Sequence, residues 1–373
     1  MDHLMEAGWG PFFESAFKNT FEDASRASAA GSSADQFFPG RILRGGQGNY
    51  LTITEFGELP AHPTGLLTAT GASIAAGDWV VLSRPEGGDF ALVHELLPRR
   101  TSISRKAPSG PVSRVLAANV DTVLLTQGLD RDWNPRRMER YLALVHGGGA
   151  EPCIVLNKSD LCDEQELAAK VGGMREIAGD VPIHVCSAAR EIIPPELRAL
   201  VGPGRTLVLL GSSGAGKSTL VNRLLGFERQ ETGRVSESHG KGRHTTTARE
   251  LIVSPGRGVL IDTPGLREVA LDSSADLEAV FTDIMELAEQ CRFRDCAHES
   301  EPGCAVRAAA DTGELDPGRL ESYFRLSREM DRLVVPLTES EARRQRHESR
   351  KGEKKLGKLY KSVQNRKRKE RGR

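Results

Sequence analysis

The sequence predicts a multidomain α/β protein: a small all-β barrel, then a mostly parallel sheet with helices on both faces, then a helical segment built around a metal. Three observations carry this reading. Short alternating apolar runs separated by Gly, Pro and Asp fill residues 37–104 (RILRG, NYLTITEF, DWVVLSR, FALVHELL). From residue 119 onward, apolar strand candidates alternate with helical patterns. Three of the six cysteines then fall together near the C-terminus, beside a histidine.

The chain has 373 residues, enough for two or three domains, with 38% hydrophobic and 27% charged residues. No apolar run approaches the roughly 20 residues of a membrane-spanning helix. The N-terminus lacks a basic segment followed by a long apolar one, so no secretory signal is expected and a cytoplasmic location is. The formal net charge of +0 hides an asymmetry, because residues 341–373 hold 15 Lys and Arg against 4 Asp and Glu. An acidic body with a basic tail calls for an anionic partner for the tail; the alternative is a solvated segment that aids solubility.

Residues 1–36 are expected to form an N-terminal extension, an apolar-aromatic stretch from Leu4 to Phe21 followed by the linker-like SRASAAGSSAD. The barrel occupies 37–104, and 101–118 reads as a polar connector. Within the nucleotide domain, 112–275, strands are expected at 120–126, 153–157, 183–187, 206–211 and 258–263, with helices over 135–146 and 163–178. Helices around the cysteine cluster make up 276–340, and the basic tail is 341–373. Cys153 and Cys186 lie in strand-like segments and are read as small core hydrophobes.

The strongest motif is Gly211-Ser212-Ser213-Gly214-Ala215-Gly216-Lys217-Ser218, followed by Thr219, between an apolar strand and a helical run. Glycines let the backbone wrap phosphates and aim N–H groups at them. Lys217 brings charge to the β- and γ-phosphates, and Ser218 can ligate Mg²⁺. Asp262-Thr263-Pro264-Gly265 follows a second strand, where Asp262 can hold Mg²⁺ through water and the Gly265 N–H can sense the γ-phosphate. Asn157-Lys158-Ser159-Asp160 follows a third. The Asp160 carboxylate can accept bonds from guanine N1–H and N2–H₂, Asn157 can bond the base or neighbouring loops, and the Lys158 stem can cover the base. Ser187 and Ala188 fit a short loop against guanine O6. Between the phosphate loop and Asp262 lies Gly242-Arg243-His244-Thr245-Thr246-Thr247. Thr246 and Thr247 are the candidates to complete the magnesium shell, Thr246 first.

These motifs point to GTP or GDP with Mg²⁺, but their order is permuted: the base-reading motif precedes the phosphate loop. The same site can be built with old termini joined and new ones opened. The position after Asp262-x-x-Gly265 that often carries a water-orienting Gln is Leu266. Lys217 and Thr246 are therefore expected to be joined in catalysis by His244 as the residue positioning water; the competing reading keeps His244 as loop packing. Cys291-x₄-Cys296-x-His298-x₅-Cys304 supplies three thiolates and an imidazole, a closed tetrahedral set for one structural Zn²⁺.

With these motifs in hand, the chain resembles the RsgA (YjeQ) family of circularly permuted GTPases over about residues 38–340. The likeness extends to Gly77-Asp78-Trp79-Val80, Pro98-Arg99-Arg100, Ser104-Arg105-Lys106, Leu116 to Asp121, and the Glu301-Pro302-Gly303 before Cys304. The resemblance implies that the barrel is an OB-fold. It also implies GTP hydrolysis stimulated by the small (30S) ribosomal subunit late in that subunit's maturation, with 16S rRNA as partner. On that reading Arg99, Arg100, Arg105 and Lys106 offer RNA contacts. A monomer is expected. The competing function is a nucleotide-switched RNA-binding protein in translation control outside ribosome assembly.

Overall fold

A computed structural model describes residues 2–27, 37–46, 48–106, 113–226, 250–262 and 270–334. Two helices come first, α1 (Asp2–Glu6) and α2 (Pro11–Ala27). Five strands follow: β1 (Phe37–Gly46), β2 (Asn49–Thr54), β3 (Gly57–Pro63), β4 (Trp79–Ser83) and β5 (Ala91–Leu96), with the short helix α3 (Gly65–Thr70) between β3 and β4. They pair in the order β1-β2-β3-β5-β4, and β4 returns to β1, closing a barrel. Only the β3–β5 pairing is parallel. This five-stranded closure is the OB arrangement. Alternation along the strands sends Ile42, Ala61, Val80, Leu82, Ala91 and Val93 inward, where Leu67 of α3 plugs them.

The segment read as a polar connector is instead a two-stranded antiparallel ribbon, β6 (Ser102–Lys106) with β7 (Ser113–Ala118). Its Ser, Arg and Gly content conceals a buried side made by Ile103, Leu116 and Ala117.

The second sheet holds β8 (Thr122–Gly128), β9 (Glu151–Asn157), β10 (Ile183–Val185), β11 (Thr206–Leu210), β12 (Glu250–Ser254) and β13 (Gly258–Asp262). Its order is β10-β9-β8-β11-β13-β12, parallel except for β12. The expected strands are all present; β12 went unread because it is only half-buried and its ends are Glu250 and Ser254, which leaves a short apolar run. Strands β8, β9, β11 and β13 are near-continuous apolar runs because both faces are covered. Val123, Leu125, Ile154, Leu156, Val208 and Ile261 join one core with residues of α4 (Pro135–Gly147) and α5 (Glu164–Ala178). Leu124, Cys153, Val155, Leu209 and Leu260 face α6 (Pro195–Ala199) and α7 (Lys217–Leu225). Cys153 and Cys186 are buried in this second layer, and burial pushes both thiols up to about 12, so they pack rather than react.

Barrel and sheet meet edge to edge at Arg44 and Glu250, whose side chains pair at 3.1 Å. The firmer tie is Arg41, 1% exposed. Its guanidinium donates to Gly77 O (3.1 Å), Ala7 O (2.5 Å), Thr206 Oγ1 (2.9 Å) and Asn119 O (2.9 Å), and stacks over Trp79. One side chain thus joins β1, the N-terminal helices, the barrel exit and the start of β11. Gly77 sits at φ +93, and a Cβ there would lie 2.1 Å from Ala118 O, so the close approach requires glycine. The region expected as an extension contributes to the core: Leu4, Ala7, Trp9 and Phe13 are buried, with Trp9 and Phe13 against Trp79.

Beyond β13 lie α8 (Thr282–Ala288), α9 (Ala305–Thr312) and α10 (Pro317–Val334). They dock on α4. Arg140 grips Glu329 with two bonds of 2.8 Å, Arg136 pairs with Asp316, and buried Glu139 accepts from Arg319 at 3.2 Å.

Candidate nucleotide site and metal centre

Parallel strands bring their C-terminal ends to one edge, and that edge collects motifs that are distant in sequence. Gly211 leaves β11 at φ +152, with a Cβ position 2.2 Å from Thr126 O, so only glycine turns there. The loop from Gly211 to Gly216 runs into α7, which begins at Lys217. Ser218 and Thr219 lie in its first turn, Ser213 and Gly214 are exposed, and Ala215 is buried beneath. The Lys217 ammonium is folded over the loop, donating to Gly211 O (2.8 Å) and Ser212 O (2.5 Å). Asp262 ends β13, the parallel neighbour of β11.

The segment Asn157-Lys158-Ser159-Asp160 is locked to this loop by Asn157, 2% exposed. Its Nδ2 donates to Ala215 O (2.9 Å), and its Oδ1 accepts from the Ala188 N–H (3.0 Å). Of the two roles open to Asn157, the structure shows the bond to neighbouring loops. The Asp160 side chain, 21% exposed, lies at the edge, accepts from Ser187 Oγ at 2.5 Å and has Arg190 Nε 3.8 Å from its other oxygen. Lys158, at φ +67, extends its stem across the edge to Asp130 Oδ2 (2.5 Å), and that ammonium holds the Asp130 carboxyl below the ordinary carboxylate range. His244, Thr246 and Gly265 lie outside the described residues.

The loop between β8 and α4, with the residues Asp130 and Asp132, is part of this edge and was not read from sequence. Asp132 Oδ2 accepts from Ser212 Oγ, and its Oδ1 pairs with Arg137 Nη1 at 2.8 Å. In the sequence, Asp132-Trp133-Asn134-Pro135 carries only a helix-start signal, and Asn134 is indeed the N-cap of α4.

In the metal centre, the ligand atoms of Cys291, Cys296, His298 and Cys304 lie within 4.8 Å of one another. Cys291 Sγ is 3.6 Å and Cys304 Sγ 3.4 Å from His298 Nδ1, and the two sulfurs are 3.9 Å apart. Tetrahedral zinc with its usual bond lengths sets ligand atoms roughly 3.5–3.8 Å apart, so the set fits. His298 reaches it from a left-handed turn at φ +59, and Cys304 is the N-cap residue of α9. Arg99, expected among RNA-contacting groups, is held by the buried Asp78 carboxylate at 2.6 and 2.7 Å and by Ser73 O. Arg100 remains half-exposed beside Asp121.

The family description "RsgA GTPase" matches residues 96–272. The chain is 47% identical over 343 residues to the small ribosomal subunit biogenesis GTPase RsgA of Opitutus terrae, covering 87% of this chain and 89% of that one. The RsgA of Syntrophotalea carbinolica is 44% identical over 336 residues, covering 87% and 88%. The chain belongs to the RsgA GTPase family. Among solved structures, YjeQ from Thermotoga maritima superimposes with a TM-score of 0.58 at 27% identity, over 79% of this chain and 98% of that one. The circularly permuted GTPase YloQ does so at 0.56 and 23% identity, over 83% and 100%, which supports the fold. The permuted motif order is thus a property of the RsgA fold, and the chain is a GTP hydrolase. Among the described residues, no helix is long and apolar enough to cross a membrane.

Proposed function

We propose that this RsgA member hydrolyses GTP to GDP and phosphate while bound to the small ribosomal subunit during late maturation, in the cytoplasm and as a monomer. Gly211 to Thr219 cradle the phosphates, Ser218, Thr246 and Asp262 hold Mg²⁺, and Asp160, with Ser187 and Ala188, reads guanine. Lys217 stabilises the charge that develops on the γ-phosphate, His244 positions water, and the Gly265 N–H senses the γ-phosphate. Cys291, Cys296, His298 and Cys304 hold one zinc, which would supply cross-linking and no chemistry because no open position remains. The barrel and the 341–373 tail bind 16S rRNA.

One observation carries the reading: Asn157 bonds both Ala215 and Ala188, which brings three motifs scattered over the chain to one edge and supports a single guanine-nucleotide site there. The names of the relatives, small ribosomal subunit biogenesis GTPases, favour subunit maturation over translation control. The test is GTP hydrolysis with and without purified small subunits, beside ATP and the Lys217→Ala protein. Slow turnover that rises at least tenfold with subunits, for GTP and not ATP, is expected. Turnover indifferent to subunits would remove the ribosomal partner, and a preference for ATP would remove the guanine assignment.

A further inference from the structure

The loop Leu129–Asn134 stands between the two halves of the nucleotide site. Asp130 holds Lys158 on the base side, and Asp132 holds Ser212 on the phosphate side. A carboxylate beside a phosphate cradle is electrostatically unfavourable unless it is neutralised and employed. Asp132 is both. Arg137 Nη1 neutralises it at 2.8 Å, and its own carbonyl is fixed by Gln127 Nε2 at 2.6 Å, a buried side chain of β8. The carboxylate therefore reaches Ser212 from a rigid strand end and a helix start.

Ser212 is also the residue whose carbonyl, with that of Gly211, holds the Lys217 ammonium. Rotation of the Ser212 peptide would swing the lysine anchor and the loop N–H groups together. We propose that Asp132 is a positioning residue for GTP hydrolysis, fixing the phosphate loop through Ser212 so that Lys217 is aimed before nucleotide arrives. The proposal rests on the nucleotide reading above. It assigns Asp132 no contact with substrate: its effect passes through Ser212 to the group that stabilises transition-state charge.

The test is steady-state GTP hydrolysis by the full chain in Asp132→Ala, Ser212→Ala and the double variant. Each single change is expected to lower kcat about tenfold with KM altered less than threefold. Binding keeps its other contacts, and in Asp132→Ala the loss of a negative charge near the phosphates offsets the loss of loop order. The double variant should be no worse than either single, because one bond is removed in all three. Asp132→Asn keeps an acceptor for Ser212 and should stay within about threefold of the parent kcat. Ser212→Ala leaves the Asp132–Arg137 pair intact, so it reports on positioning even if Asp132→Ala folds poorly. A kcat within twofold of the parent in Ser212→Ala, or a double variant whose loss is the product of the singles, would overturn the proposal. Lys217→Ala distinguishes the two levels: abolished turnover there beside unaffected Asp132 and Ser212 variants sinks only this inference. Turnover surviving in Lys217→Ala sinks the nucleotide reading as well.

Discussion

At the scale of single residues, Asp160 and Asn157 divide a task that the sequence motif writes as one. Asn157 is buried and ties loops together, whereas the Asp160 carboxylate is presented at the edge with Ser187 as its neighbour. On the proposed reading, selectivity would rest on Asp160, because a carboxylate only accepts and guanine offers N1–H and N2–H₂ together. Asp160→Asn is expected to weaken GTP binding by about 2–3 kcal/mol, a factor of roughly 30–150. It should favour xanthosine triphosphate, whose carbonyl at position 2 accepts from the new amide. Competition binding with the two nucleotides measures this, and an Asp160→Asn protein that still prefers GTP would remove Asp160 from base reading. Asn157→Ala should instead weaken every nucleotide alike, since it loosens the phosphate loop and the Ala188 loop together.

At the scale of elements, the candidate metal centre sits where the chain between two helices lacks regular structure. Between α8 and α9 the chain makes irregular turns, and Cys291, Cys296, His298 and Cys304 would cross-link it on the proposed zinc reading. Val280, Phe281, Ile284, Val306 and Leu326 nevertheless join the same core as Met138 and Tyr141 of α4. One zinc per chain by elemental analysis is expected. Cys291→Ser should lose the metal and open 276–334 to protease, while guanine nucleotide binding falls by less than tenfold because the site lies on other elements. Metal content unchanged in Cys291→Ser would refute the ligand set.

The same scale shows what could be read beforehand. The phosphate loop, the base-reading motif and the Cys/His spacing were legible because each is a local run whose chemistry fixes its spacing. The barrel was legible from alternation, while β6 and β7 were hidden because their exposed sides carry Ser and Arg. Asp132 could not be found in the sequence: its partner Ser212 is 80 positions away, and only the sheet order β8-β11 brings them together. Gly77 reads as a turn before Asp78, and its contact with Ala118 emerges only when the barrel meets the sheet.

At the scale of the whole molecule, one buried cation ties together the barrel, the N-terminal helices and the GTPase sheet, beside the Asn119–Gly77 bond. The pairing of β1 with β12 is a single exposed register position, too slight to fix two domains. Arg41 does so from inside, reaching α1's end, the barrel exit and the first residue of the strand that feeds the phosphate loop. Burial lowers its pKa to about 10, which still leaves it charged at neutral pH. Arg41→Met keeps much of the volume over Trp79 but strips the donor from Ala7 O and Asn119 O, whereas Gly77 O retains Asn119 Nδ2 at 3.0 Å. Leaving two buried carbonyls unpaired costs about 1–3 kcal/mol each, so the variant should be destabilised by about 3 kcal/mol or more. Arg41→Lys should recover little, because one ammonium cannot span acceptors set around a planar fork. Since Ala7 O is among the lost partners, α1 and α2 should also come loose, and limited proteolysis should cut near residues 8–10 in Arg41→Met before it cuts the parent. An unchanged unfolding midpoint together with an unchanged cleavage pattern would mean that the remaining contacts hold both the domains and the N-terminal helices without the cation. Early cleavage with a normal midpoint would confine the role of Arg41 to the N-terminal helices, and the fixed angle between barrel and GTPase sheet would then rest on the Asn119–Gly77 contact.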